Sequence, residues 1–177
     1  MYSHVDAADS AMMLFKNTGF GSTVKNLKIE NATLIDIGAT SRYHAILAGV
    51  NYGTIQNVHV NGQITGAGSA GMLVAGNIGT IRESSASGTI ISNNGSNEAV
   101  GGLVGLISTL PPEIEYIESP KIINSYSTVN VSSTAGATGV KCGGLVGGDS
   151  SFDPDRADGF ASIENSYAVG SVNCSLS

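Results

Sequence analysis

The chain has 177 residues, enough to bury a sizeable core, yet only 12% of them are charged and the formal net charge is −6. An acidic, weakly charged chain has no basic stripe for nucleic acid. With 41% hydrophobic residues it is not a disordered polyampholyte, and with no apolar run of about 18 residues it has no helix that inserts in a membrane.

Residues 1–10, "MYSHVDAADS", lack the basic and apolar regions of a secretory signal and read as an N-terminal cap or an extraneous start. From Ala11 onward the chain repeats itself. "AMMLF" from Ala11 precedes "TVKNLKIENATL" from Thr23, and "AILAG" from Ala45 precedes "NYGTIQNVHVNG" at 51–62. "GMLVAG" from Gly71 precedes "NIGTIRESSASG" at 77–88. "GGLVG" from Gly101 precedes "KIINSYSTVNV" from Lys121, and "GGLVG" from Gly143 precedes "SIENSYAVGSV" from Ser162. Aligned on the β-branched residue of each second element, the anchors are Val24, Ile55, Ile81, Ile122 and Ile163, spaced by 31, 26, 41 and 41 residues.

Recurrence at this period marks a solenoid or array. The runs are short, β-branched and broken by Gly and Asn, so the elements are strands and turns rather than helices. "GGLVG" reads as a short buried strand. The predicted fold is all-β: a parallel β-helix (β-solenoid) of about five coils, with loop insertions on one face, forming a single domain over 1–177. In such a stack each side chain lies about 4.8 Å from its counterpart in the next coil. The anchors then form an apolar ladder. Asn26, Asn57, Glu83, Asn124 and Asn165 form a corner column, where Asn accepts left-handed geometry and can hydrogen-bond along the stack. Leu27, Val58, Ser84, Ser125 and Ser166 form a third column that shrinks towards the C-terminus.

The pairing of "GGLVG" at 143–147 with "IENSYAVGSV" at 163–172, echoed by 101–105 with 122–131, resembles the GLUG-motif repeats of bacterial surface proteins. Such repeats occur in adhesins and in the non-catalytic N-terminal part of immunoglobulin A1 metallopeptidases. The resemblance spans roughly Ala11 to Val172, with Glu83 and Ser85 departing from the motif's Asn and Tyr. It implies an extracellular or bacterial cell-surface location and neighbouring domains in a longer protein. It implies no activity.

Chemistry-bearing groups are sparse. His4, His44 and His59 lack metal-ligand spacing and read as solvated or turn histidines. "GAGSAG" at 66–71 matches the letters of a dinucleotide fingerprint, but a repeat strand follows where the motif needs a helix. Glu83 and Glu164 are two coils apart and point differently, which argues against a catalytic carboxylate pair. No catalytic residue and no resident cofactor is assigned. Cys142 and Cys174 are too few for a disulfide framework and read as buried free thiols in preference to a bridge.

The two spacings of 41 contain insertions at the same point of successive coils, 106–120 and 148–162. Per-repeat insertions map to one face, often the binding face. Asp149, Asp153, Asp155 and Asp158 offer oxygen ligands suited to calcium, against the plainer reading of a solvated loop. Tyr116, Phe152 and Phe160 are the candidate ligand-binding aromatics. The expected function is a non-enzymatic adhesin, stalk or ligand-presenting scaffold, whose partner is a host or environmental glycan or protein. The alternatives are an accessory region of a secreted protease and, below it, a polysaccharide-processing β-helix.

Overall fold

Short β-branched runs separated by Gly and Asn cannot sustain helices, and the chain satisfies its backbone by pairing each run with the run one repeat away. The structure is a computed structural model that describes residues 13–36, 43–94, 98–108, 119–133, 140–149 and 161–174. The described chain is all-β with parallel sheets and contains no helix.

Five repeats supply the strands. The first gives β1 (Phe15–Thr18) and β2 (Thr23–Ile35). The second gives β3 (Tyr43–Ala45), β4 (Ala48–Asn51) and β5 (Thr54–Ala67). The third gives β6 (Ser69–Gly71), β7 (Val74–Asn77), β8 (Thr80–Arg82) and β9 (Ser85–Asn94). The fourth gives β10 (Ala99–Gly101), β11 (Val104–Ile107), β12 (Lys121–Ile123) and β13 (Tyr126–Ser133). The fifth gives β14 (Lys141–Gly143), β15 (Val146–Asp149), β16 (Ser162–Glu164), β17 (Tyr167–Ala168) and β18 (Val172–Cys174).

Each repeat contributes in turn to the same sheets. One sheet orders β3, β6, β10 and β14; a second orders β1, β4, β7, β11 and β15. The third and largest stacks β2, β5, β8 with β9, β12 with β13, and β16 with β17 and β18. All pairings are parallel, and the anchors align as the sequence pattern requires: Val24 with Ile55, Ile55 with Ile81, Ile81 with Ile122, and Ile122 with Ile163. Alternation sets which face is core. Along β13, Ser127, Val129 and Val131 are buried while Tyr126, Thr128 and Asn130 are exposed. Ile55, Ile81 and Ile122 lie fully buried in one continuous apolar cluster that also takes in Val58, Ile64, Ile90 and Val104.

"GGLVG" is not one strand, contrary to expectation. Gly101 ends β10, Gly102 and Leu103 make a corner, and Val104 opens β11; Gly143 to Val146 repeat the pattern. A Cβ on Gly71, Gly101 or Gly143 would run into the carbonyl oxygen of Val74, Val104 or Val146, so the bend needs glycine there. The corner leucines fill the inside. Leu47 N–H donates to Leu73 O (3.1 Å), Leu73 N–H to Leu103 O (3.0 Å) and Leu103 N–H to Leu145 O (2.9 Å), a ladder that continues through the bend.

Cys142 and Cys174 are joined in a disulfide, which corrects the free-thiol reading. Their strands, β14 and β18, belong to different sheets of the fifth repeat. Thirty-two residues of separation hid what the stacking brings within 6.5 Å between Cα atoms.

Candidate functional site

The residues that recur most insistently turn out to have separate structural tasks. Asn26, Asn57, Glu83, Asn124 and Asn165 all adopt positive φ, between 47° and 57°. This is the left-handed corner that Asn tolerates and Glu does not favour. Asn57 Nδ2 also donates to Asn26 Oδ1 at 2.8 Å, as expected of a stacked Asn column.

The serine that follows the corner is more than a small residue. Ser84 Oγ accepts from Val58 N–H, Ser125 Oγ from Ser84 N–H, and Ser166 Oγ from Ser125 N–H, each at 3.1 Å. Each hydroxyl also donates back to the carbonyl two residues earlier, at 2.8 Å. At the left-handed corner the backbone turns away from the sheet ladder, and these hydroxyls supply the missing inter-repeat bonds. The tyrosine after the serine packs outside. Tyr126 and Tyr167 stack with ring centroids 5.3 Å apart and planes 6° from parallel. Asn-Ser-Tyr is thus a corner, a hydrogen-bonded rung and an exterior stack.

A second polar ladder escaped the sequence reading. Thr18 Oγ1 donates to Asn51 Oδ1 (2.7 Å), Asn51 Nδ2 to Asn77 Oδ1 (2.8 Å) and Asn77 Nδ2 to Gly79 O (3.0 Å), and both asparagines are fully buried. The signal was present in "NYGT" and "NIGT", where Asn holds the same place in successive repeats. A buried amide is tolerated only with its bonds made. The ladder stops where Ile107 pairs opposite Asn77.

His44 corrects another expectation. It is buried rather than solvated, and its Nε2 lies 3.2 Å from Asp36 Oδ2, close enough for an ion pair though not aligned as a hydrogen bond. His59 is tied by Nδ1 to Ser85 Oγ (2.8 Å) and by Nε2 to Asn57 Oδ1 (3.0 Å). His4 lies outside the described residues. The two carboxylates considered as a pair are committed elsewhere: Glu83 Oε2 accepts from Gln56 Nε2 at 3.0 Å and Glu164 Oε1 from Ser162 Oγ at 3.0 Å. Glu98, ahead of β10, keeps one carboxylate oxygen shielded without a hydrogen bond. Its burial pushes the carboxyl above the ordinary range, and a hydrogen bond from the Gly68 backbone only partly opposes that.

Of the candidate calcium ligands, Asp149 closes β15 on an exposed edge, opposite Ile107. Asp153, Asp155 and Asp158, and the aromatics Tyr116, Phe152 and Phe160, lie outside the described residues. Among the described residues no three His, Cys, Asp or Glu side chains gather as a metal site. The roots of the two insertions do adjoin. β11 and β15 pair where the insertions leave, and Ser162 N–H donates to Pro120 O at 3.0 Å where they return.

No family model, curated protein or solved structure matches the chain.

Proposed function

We propose that this chain is a β-solenoid of five coils that acts as a non-enzymatic scaffold. It serves as an adhesin or stalk module of a secreted or surface-displayed bacterial protein, in keeping with its resemblance to GLUG-motif repeats. The observation that carries this reading is how the motif residues are used. Gly at the bend, Asn at the corner, Ser on the rung and Tyr on the outer stack each serve the fit of one repeat on the next. A chain whose recurrent residues are committed to stacking leaves its contact chemistry to whatever interrupts the stack. The two insertions, whose roots adjoin, are those interruptions, and they supply the contacts to a glycan or protein. A Cys142–Cys174 bridge suits an oxidising, extracellular setting.

The test has two arms. Incubation with a polysaccharide panel should yield no new reducing ends and no unsaturated products; turnover of any member overturns the non-enzymatic reading. On a glycan array the wild-type chain should be retained by at least one class. Replacing both insertions by the short connection found at 77–80 should abolish that retention without loss of fold. Retention that survives the replacement removes the insertions from the binding face.

A further inference from the structure

The two ends of the stack are complementary to each other. In a parallel, in-register array each repeat offers the same backbone donors and acceptors on one side and their counterparts on the other; for β2 this holds from Thr23 to Ile29, beyond which its register with β5 shifts. Among the described residues, β1 and β15 are the two edges of one sheet, and β2 and the β16–β18 group bound the largest. Unpaired strand edges are templates for another chain.

The side chains agree with the backbone. Of ten exposed large apolar residues among the described residues, eight lie in the first and last repeats: Leu14, Phe15, Phe20 and Ile35 at one end, Ile163, Tyr167, Val169 and Val172 at the other. Their exposure comes from position. Ile163 is 50% exposed where its column neighbour Ile122 is 0%, and Val172 is 45% where Val131 is 1%.

Charge supplies the direction. One column runs Lys25, Gln56, Arg82, Ile123, Glu164, with a cation in the first repeat and an anion in the last. Another runs Lys28, His59, Ser85, Tyr126, Tyr167. Setting the last repeat of one molecule against the first of another, with the columns continued at the ordinary rung spacing, places Glu164 beside Lys25. It also lays the outer face of Tyr167 against Lys28, a cation–π contact. Lys28 already pairs with Glu30 at 2.7 Å on the exposed surface, and an ammonium can serve both partners. Two last repeats set against each other about a two-fold axis would run antiparallel and break the columns.

We propose that the protein self-associates head to tail, the β16–β18 edge of one copy pairing with the β2 edge of the next in continued register. The contact is heterologous, so it generates open linear oligomers rather than closed dimers. It depends on the stacking of the repeats and is independent of what the insertions bind.

Sedimentation velocity on the oxidised full chain, from micromolar to millimolar concentration, tests this. The expected result is a ladder of species growing with concentration and retreating with salt. Lys25→Glu and Glu164→Lys alter exposed side chains and should leave the fold intact. Each should weaken association by roughly tenfold, since an exposed attraction becomes a repulsion. Mixing the two variants in equal amounts should restore assembly, because each then meets an oppositely charged partner at both of its ends. Ile163→Lys, at the exposed end of the apolar column, should leave only monomer. A monomer at all concentrations overturns the proposal. So does sensitivity to Glu164→Lys without sensitivity to Lys25→Glu, which would mean that like ends pair, and so does a mixture that fails to recover.

Discussion

At the scale of single residues, the corner column shows what the backbone demands and where the chain departs from it. Glu83 holds φ at 53° in a column otherwise made of Asn. A non-glycine residue in the left-handed region costs on the order of 1 kcal/mol or more, least for Asn. Its carboxylate recovers part of this through an exposed bond to Gln56. Glu83→Asn should therefore stabilise the protein by ~0.5 kcal/mol, read as a higher urea midpoint at unchanged slope; a lower midpoint would mean that the Gln56 bond outweighs the strain. Glu98 supplies the pH dependence. Its folded-state carboxyl sits above the ordinary value, so the folded protein binds that proton more tightly than the unfolded one. The favourable contribution is complete below the ordinary carboxylate range and is lost as pH rises through the raised value. Glu98→Gln should then melt higher than wild type at neutral pH, with the difference fading as pH falls to 4.5 and below. A difference independent of pH would refute the assignment. The Asn column could be read from the sequence because left-handed corners have a residue preference. The Asp36–His44 contact could not, because a single buried contact between two residues leaves no periodic trace. Asp36, just past β2, and His44, in β3, become neighbours only in the folded chain.

At the scale of elements, the anchors and their registers were legible because a two-residue alternation and a fixed column position leave few alternatives. The division of "GGLVG" was not. Five small and apolar residues fit a buried strand as well as a corner, and only the crowding of Val104 O and Val146 O against Gly101 and Gly143 distinguishes them. The last repeat is the weakest element on burial grounds, since its apolar column is half exposed and β17 has only two residues. The Cys142–Cys174 bridge ties its first strand to its last. Closing a loop of this length is worth about 3–4 kcal/mol in the chain-entropy account. Reduction should release the fifth repeat ahead of the others. Amide exchange at Tyr167 and Val169, whose N–H groups donate to Ser125 O and Ser127 O, should rise many-fold with dithiothreitol, while that at Leu73, which donates to Leu103 O, changes little. Uniform acceleration through all repeats would show instead that the bridge supports the whole fold as one cooperative unit.

At the scale of the molecule, the repeats account for the unusual composition. Polar groups are satisfied by identical groups one rung away rather than by ion pairs, so few charged residues are needed, and Asn, Ser and Gly recur where each rung requires them. The charges that remain are informative through their placement in the columns, Lys25 and Lys28 in the first repeat and Glu164 in the last. The insertions were legible as insertions, and their roots lie side by side. Which of their side chains meet a partner is something no periodicity of the sequence encodes. The central claim is that five repeats stack anchor on anchor through parallel sheets. It is tested most directly by nuclear Overhauser contacts between methyl groups of Ile- and Val-labelled protein. The account predicts an unbroken series linking Val24 to Ile55, Ile55 to Ile81, Ile81 to Ile122 and Ile122 to Ile163. A displaced series, such as Ile81 to Val58 in place of Ile81 to Ile55, or the absence of contact between successive anchors, would contradict it.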